Sequence, residues 1–291
     1  MTVMQETQAF YVLNLSCVSR PGIVRGVAEL MAAEGCDILS MSQFDDRASG
    51  RFYMRLLFRA GSEVGGSPEE VSEWLADWGA DCDMRWAIHD TAERSRMIIL
   101  ASRQEHCLMD LLHRHRIGEL PVEIPAVVSN HTDLEGLVHS FGVPFVHLPV
   151  SDANRTEQEQ QLADLVEETD THLVVLARYM QVLQPWLCDR LYGHIINIHH
   201  SFLPSFTGAS PYRQAYSRGV KVIGATAHYV TSQLDSGPII EQVVERVDHT
   251  YHPEDLVTTG RDLERIALAR AVKYHLEHRV FLNGDRTLVF R

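Results

Sequence analysis

The chain has 291 residues, 45% of them apolar, which is enough to fill two hydrophobic cores and so to build two domains. Its formal net charge of -13 argues against a nucleic-acid partner, because phosphate binding needs clustered Lys and Arg, and it favours solubility. Met1 to Phe10 lacks a basic segment followed by an apolar run, and no stretch approaches the ~18 apolar residues that span a bilayer, so the expected location is the cytoplasm with no membrane partner.

In chain order, Tyr11 to Cys17 reads as a strand, Gly22 to Glu34 as a helix and Asp37 to Phe44 as a strand. A polar turn from Asp45 to Gly50 leads into the strand Arg51 to Arg59. A Gly- and Ser-rich connection follows, then a helix opened by Ser67-Pro68 with Glu69 and Glu70 in its first turn, then a strand near Cys82 to Ile88. The order βαββαβ predicts a ferredoxin-like first domain over residues 7–90. The loop Ser16-Cys17-Val18-Ser19-Arg20-Pro21-Gly22-Ile23-Val24 resembles the start of an ACT domain, with Ser19 where such loops usually carry Asp. That resemblance implies a self-pairing regulatory or dimerisation module. A platform that binds nothing and a site for an amino-acid carboxylate at the helix start both remain open.

The polar stretch Asp90 to Arg96 reads as a linker, and a second domain is expected over 95–291. Its short apolar runs, Met97 to Ala101, Ile124 to Ser129 and Leu173 to Ala177, alternate with helical segments such as Glu157 to Glu168, where Leu162, Leu165 and Val166 share a face. This pattern predicts a Rossmann-like, mostly parallel sheet covered on both sides, with ligands beyond the carboxyl ends of its strands. The run His194 to Ile198 is expected to be a buried strand whose end delivers Asn197 and His199 into a loop. Residues two apart on an extended chain face the same way, so His200 is expected to point away from them. Asp235 follows in Leu234-Asp235-Ser236-Gly237-Pro238. An amide donor, an imidazole that titrates near neutrality and a carboxylate to hold it suit carbonyl chemistry without a covalent nucleophile or a metal.

Five cysteines at positions 17, 36, 82, 107 and 188 form no CxxC pair, and their odd number suits reduced thiols better than a disulfide frame or a zinc site. His275-Leu276-Glu277-His278 lacks HExxH spacing and reads as the exposed end of a helix from Asp262. His228 reads equally as a helper of Asp235 or as a core histidine.

The string Asn197-x-His199-x-Ser201-x-Leu203-Pro204 with the later Leu-Asp-x-Gly-Pro resembles the folate-dependent formyltransferase family. Asn197 to Phe206, Gly208-Ala209-x-Pro211-Tyr212 and Ile223 to Val230 resemble its formyltetrahydrofolate deformylase branch in particular. The resemblance covers roughly residues 95 to 291. It implies hydrolysis of 10-formyltetrahydrofolate to formate and tetrahydrofolate with Asn197, His199 and Asp235 as catalytic residues. It also implies folate contacts at Arg178, Met180, Leu183, His228 and Gly237, no cofactor, no metal, and assembly as a homodimer or homotetramer.

The loop after the first strand of this domain bears on the acceptor. In the glycinamide ribonucleotide branch a Gly- and Ser-rich loop holds a phosphate, whereas here Gln104 and Glu105 stand in Ser102-Arg103-Gln104-Glu105-His106, and a carboxylate repels a phosphate. Water is the expected acceptor. Transfer to a small amine and a small-molecule sensor without catalysis are the alternatives, and the pathway, purine supply or one-carbon recycling, is left open.

Overall fold

The computed structural model describes residues 9–60, 67–201 and 211–291, so Phe202 to Phe206, Gly208 and Ala209 of the motif strings lie outside the described residues. The chain divides into two compact units, with the break between Arg94 and Ser95.

The first unit runs β1 (Phe10–Val18), α1 (Ile23–Ala33), β2 (Asp37–Asp46), β3 (Arg51–Arg59), α2 (Pro68–Gly79) and β4 (Arg85–Asp90). Its four strands form one antiparallel sheet in the order β2-β3-β1-β4. Alternation along β1 sends Leu13, Leu15 and Cys17 into a core shared with Val27, Leu30, Val71 and Leu75 of the helices. Gly22 sits at the head of α1 with φ 94, a left-handed conformation that glycine adopts without penalty. At the head of α2, the Ser67 hydroxyl accepts from Glu70 N while the Glu70 carboxylate accepts from Ser67 N, a capping box that satisfies two orphan donors. The last strand starts later than its sequence suggests. Ala80–Cys82 is a turn of 3-10 helix and Asp83 takes φ 46, so Cys82 is buried beneath the sheet edge rather than within a strand.

The second unit runs β5 (Met97–Ala101), α3 (His106–Arg116), β6 (Val127–Ser129), α4 (Glu135–Ser140), β7 (Phe145–His147), α5 (Arg155–Glu168), β8 (Leu173–Leu176) and α6 (Pro185–Arg190). It continues through β9 (Ile195–His199), α7 (Pro211–Arg218), β10 (Val222–Tyr229), β11 (Ile239–Arg246), α8 (Pro253–Leu276) and the hairpin β12 (Val280–Asn283) to β13 (Arg286–Val289). Seven strands pair in the order β11-β10-β9-β8-β5-β6-β7. The five from β9 to β7 are parallel, whereas β10 pairs antiparallel with both β9 and β11. Cores lie on both faces, as continuous apolar strands require.

Three expectations change here. The strand expected from Ile124 begins at Val127, because Pro125 has no N–H for a ladder. The last long helix begins at Pro253, nine residues before Asp262: Pro253 occupies its first turn and the Asp255 carboxylate accepts from His252 N at 2.8 Å. Its C-terminal end is not an exposed one, since His275 Nδ1 is 2.8 Å from the Tyr229 hydroxyl and burial pushes that imidazole down to about 4. The five cysteines form no disulfide. Among the described residues no helix is long and apolar enough to cross a membrane.

Candidate active site

The end of β9 organises the site. Ile196 and Ile198 point into the core, so Asn197 and His199 face the other way together. Register places Asn197 beside Leu176 of β8 on one side and His228 of β10 on the other. A bulge between Ala227 and His228, where β10 meets β11, re-aims His228 toward Asn197.

These side chains converge on a cavity of about 700 Å³, within the usual range for small-molecule sites. Asn197, His199, His228, Met180, Leu183 and Gly237 line it, as does Asp235. His199 Nδ1 lies 3.2 Å from Asp235 Oδ2, and His228 Nε2 lies 3.7 Å from Asp235 Oδ1. The hydrogen bond from His199 holds the Asp235 carboxyl well below the usual carboxylate range, against the opposing effect of burial. His228 is 2% exposed and both its nitrogens are occupied. Nδ1 donates to the Tyr229 carbonyl at 2.8 Å, which leaves Nε2 to accept from Asn197 Nδ2 at 3.3 Å. The second N–H of the Asn197 amide is then available to a substrate oxygen, and His199 is the closer partner of Asp235.

The turn between β10 and β11 holds this geometry. Asp235 has φ 51, a strained conformation for a residue with a side chain. Two residues on, a Cβ on Gly237 would stand 1.8 Å from the Tyr229 carbonyl oxygen, so glycine there lets the turn close against β10.

The segment from Arg178 to Gln184 forms another wall. Buried Ser102 accepts from Met180 N at 3.0 Å and donates to Asn130 at 2.7 Å. Glu159 accepts from Gln184 N at 2.9 Å, and Arg155 donates to the Val182 carbonyl at 2.9 Å. Leu183 is buried, while the Met180 side chain is 59% exposed and turned to the open cavity. Arg178 borders the same cavity, yet its guanidinium reaches inward to Gln104 Oε1 (3.0 Å), His200 Nδ1 (2.9 Å) and Glu264 Oε2 (3.5 Å).

His200 does not point away from His199. The strand ends at His199, alternation ends with it, and the two rings stack with centroids 4.9 Å apart and planes 23° from parallel. Behind them lies a cluster that the motif spacing missed. Glu264, 2% exposed, takes His106 Nε2 at 2.7 Å and the Tyr212 hydroxyl at 3.2 Å. Its signal was present: Leu256, Gly260, Leu263, Ala267 and Leu268 make the buried stripe of α8, and Glu264 is the carboxylate inside that stripe. His106, Cys107 and Glu264 bring three donor atoms within 4.8 Å of one another, but Glu264 already faces the Arg178 guanidinium.

The formyl transferase family profile matches residues 95–272. A formyltetrahydrofolate deformylase from Corynebacterium sp. (strain P-1) is 46% identical over 284 residues, covering 98% of this chain and 99% of that relative. The crystal structure of a formyltetrahydrofolate deformylase from Burkholderia mallei ATCC 23344 superposes with a TM-score of 0.92 at 49% identity, over 97% of this chain and 100% of that one. A glycinamide ribonucleotide transformylase from Symbiobacterium toebii covers 70% of this chain and 97% of its own, at 31% identity and a TM-score of 0.64.

Proposed function

This chain belongs to the formyl transferase family and, within it, to the formyltetrahydrofolate deformylases, and from that premise we propose that it hydrolyses 10-formyltetrahydrofolate at the Asn197, His199 and Asp235 site. The products are formate and tetrahydrofolate. The observation that carries the assignment is the 3.2 Å pair of His199 and Asp235 in the cavity that also receives the Asn197 amide.

Water attacks the formyl carbon, and negative charge develops on the formyl oxygen. The free N–H of Asn197 and the imidazolium of His199 stabilise that oxyanion, which is worth most in a water-poor site. As the carbon–nitrogen bond breaks, the leaving N10 takes a proton from His199, and the proton lost by water restores the imidazolium. Asp235 orients His199 from 3.2 Å. A carboxyl held so far below its usual range is a weak base, which supports the orienting role over direct proton abstraction from water. The reaction balances without a cofactor or a metal. Met180 and Leu183, with the backbone from Arg178 to Leu183, offer an apolar wall for the pterin, and His228 and Gly237 shape its floor.

Water rather than a phosphorylated amine fits the loop after β5. Ser102 is committed to Asn130 and Met180, Gln104 to Arg178, and Glu105 places a carboxylate at the head of α3, where an anion would otherwise be drawn. Formate release from purified protein and 10-formyltetrahydrofolate, with no amine added, tests the reading. Release that waits for an amine would move the assignment to transfer.

The first unit is assigned as an ACT-like regulatory module that pairs with its copy in a homodimer or homotetramer and accepts an amino acid at the α1 head. Its βαββαβ order supports this, as do the ten-residue edge strand β2 and the exposed Leu39 and Phe44 on it. The cytoplasm is the location that suits a soluble folate substrate.

A further inference from the structure

The stacked ring beneath His199 is held by a chain of buried groups that the hydrolysis described above does not use. Arg178 Nη1 lies 2.9 Å from His200 Nδ1. A guanidinium only donates hydrogen bonds, so Nδ1 must be the accepting nitrogen and the ring must carry its proton on Nε2. Arg178 is held in turn: it takes φ 63, its Nε donates to Gln104, and Glu264 provides its countercharge. Strain of this kind persists only where surrounding contacts over-determine it.

Glu264 is fixed from three elements. His106 of α3, Tyr212 of α7 and Arg178 beyond β8 all aim donors at its carboxylate. The helix gives up a side chain for this contact, since a Cβ on Gly260, one turn earlier, would stand 1.9 Å from the Tyr212 hydroxyl. Burial opposes ionisation of Glu264, yet the His106 hydrogen bond and the Arg178 charge prevail and hold its carboxyl below the ordinary range.

We propose that Glu264 is a positioning residue which, through Arg178, fixes His200 as a neutral imidazole protonated on Nε2 and so gives the reactive His199 an uncharged ring to stack on. The charged and titratable groups that face His200 are Arg178 from the segment after β8, His199 beside it, Tyr212 from α7, Glu264 from α8 and Asp235 from the turn after β10. Burial first, then the Arg178 and His199 charges, push His200 down to about 4 against the direct pull of the Glu264 and Asp235 charges, so the Glu264 effect must run through its hold on Arg178. Of the two imidazoles, with centroids 4.9 Å apart, His199 is the one paired with Asp235. Two adjacent imidazolium rings would repel.

The inference rests on His199 being the reactive imidazole, and the test separates the two. Ring-labelled histidine nitrogens in the full chain, with His200 assigned by its loss in His200→Gln, report the tautomer without any turnover. The expected spectrum shows an accepting Nδ1 and a protonated Nε2, unchanged from pH 8 to about pH 5.5. Conversion of His200 to the imidazolium near pH 6.5 would overturn the proposal, and it is read in the unsubstituted chain, with His200→Gln serving only to assign the signal. In Glu264→Gln the Arg178 cation is left uncompensated and opposes charge on the neighbouring imidazole. The alkaline limb of kcat then moves to lower pH and kcat falls by about 10- to 100-fold, with KM nearly unchanged. Replacing Arg178 as well, in Arg178→Met with Glu264→Gln, returns the limb toward its original pH. A folded Glu264→Gln with an unmoved limb contradicts the proposal. The tautomer present in a protein that releases no formate would support this inference and sink the hydrolase reading.

Discussion

Among the described residues of the first unit, Asp46 is the one buried polar or charged side chain, and it closes its own turn by accepting from Ala48 N and Ser49 Oγ. The second unit buries Ser102, Asn130, Glu159, Thr226, His228 and Glu264, and they hold the segments around the cavity at the strand ends. A buried polar group costs about 1–3 kcal/mol when it lacks a partner, and these find partners distant in sequence, as Glu159 Oε1 does in Gln184 N and Thr226 in the Ser201 carbonyl. Hence the first unit is held by apolar alternation, local caps and exposed pairs such as Arg51 with Asp83, whereas the second uses buried long-range polar pairs to fix a reaction geometry. Substitutions in the first should move stability and spare chemistry, and those at the second unit's cavity should do the reverse.

The largest separation is expected at the His199–Asp235 pair. His199→Ala or Asp235→Asn should lower kcat by about 10²- to 10⁴-fold with KM changed little, read from steady-state formate release. Next comes Gly237→Ala. Its Cβ would meet the Tyr229 carbonyl at 1.8 Å, so the turn must shift and carry Asp235 with it; a misplacement of that size costs about 10²-fold in kcat. Near-normal turnover in this variant would mean that the turn does not position Asp235.

The second unit should also respond to pH in its stability. His200 and His275 both sit at about 4 when folded, below the value near 6.5 of an unfolded chain. Between those limits the unfolded state binds more protons. The contribution is complete above about pH 6.5 and is lost as pH falls toward 4, by at most about 1.4 kcal/mol per pH unit for each ring. Melting temperatures from pH 8 to 4 check this, and a flat profile would contradict neutral burial of both rings. The smallest effect belongs to the first unit: Ser67→Ala removes half of the α2 capping box and should cost about 1 kcal/mol in a denaturant midpoint while kcat stays unchanged. A fall in kcat there would break the contrast and point to control of the site by the first unit.

The sequence was most legible where structure is local. Arg51 to Arg59 and Met97 to Ala101 are strands over the residues their apolar patterns mark, and Ser67-Pro68 begins a helix where its cap chemistry says it should. Spacing also indicated that Asn197 and His199 share a face, because a strand's period of two is a backbone property. The sequence was silent where a strand ends and alternation stops, which is why His200 swings round to stack on His199. It was silent too on pairs such as His106 with Glu264, 158 residues apart, whose meeting depends on how α3 and α8 pack. A buried glutamate in an apolar helical stripe signals that some partner exists without naming it.

The most direct test of the central claim follows oxygen from solvent into product, in wild type and in Asp235→Asn, with 10-formyltetrahydrofolate in ¹⁸O-labelled water and no amine present. Water attack at this site predicts formate carrying solvent oxygen at the rate of turnover, with labelled formate about 10²-fold slower or more in the variant at saturating substrate. Labelled formate produced by Asp235→Asn at the wild-type rate would place the chemistry elsewhere in the molecule.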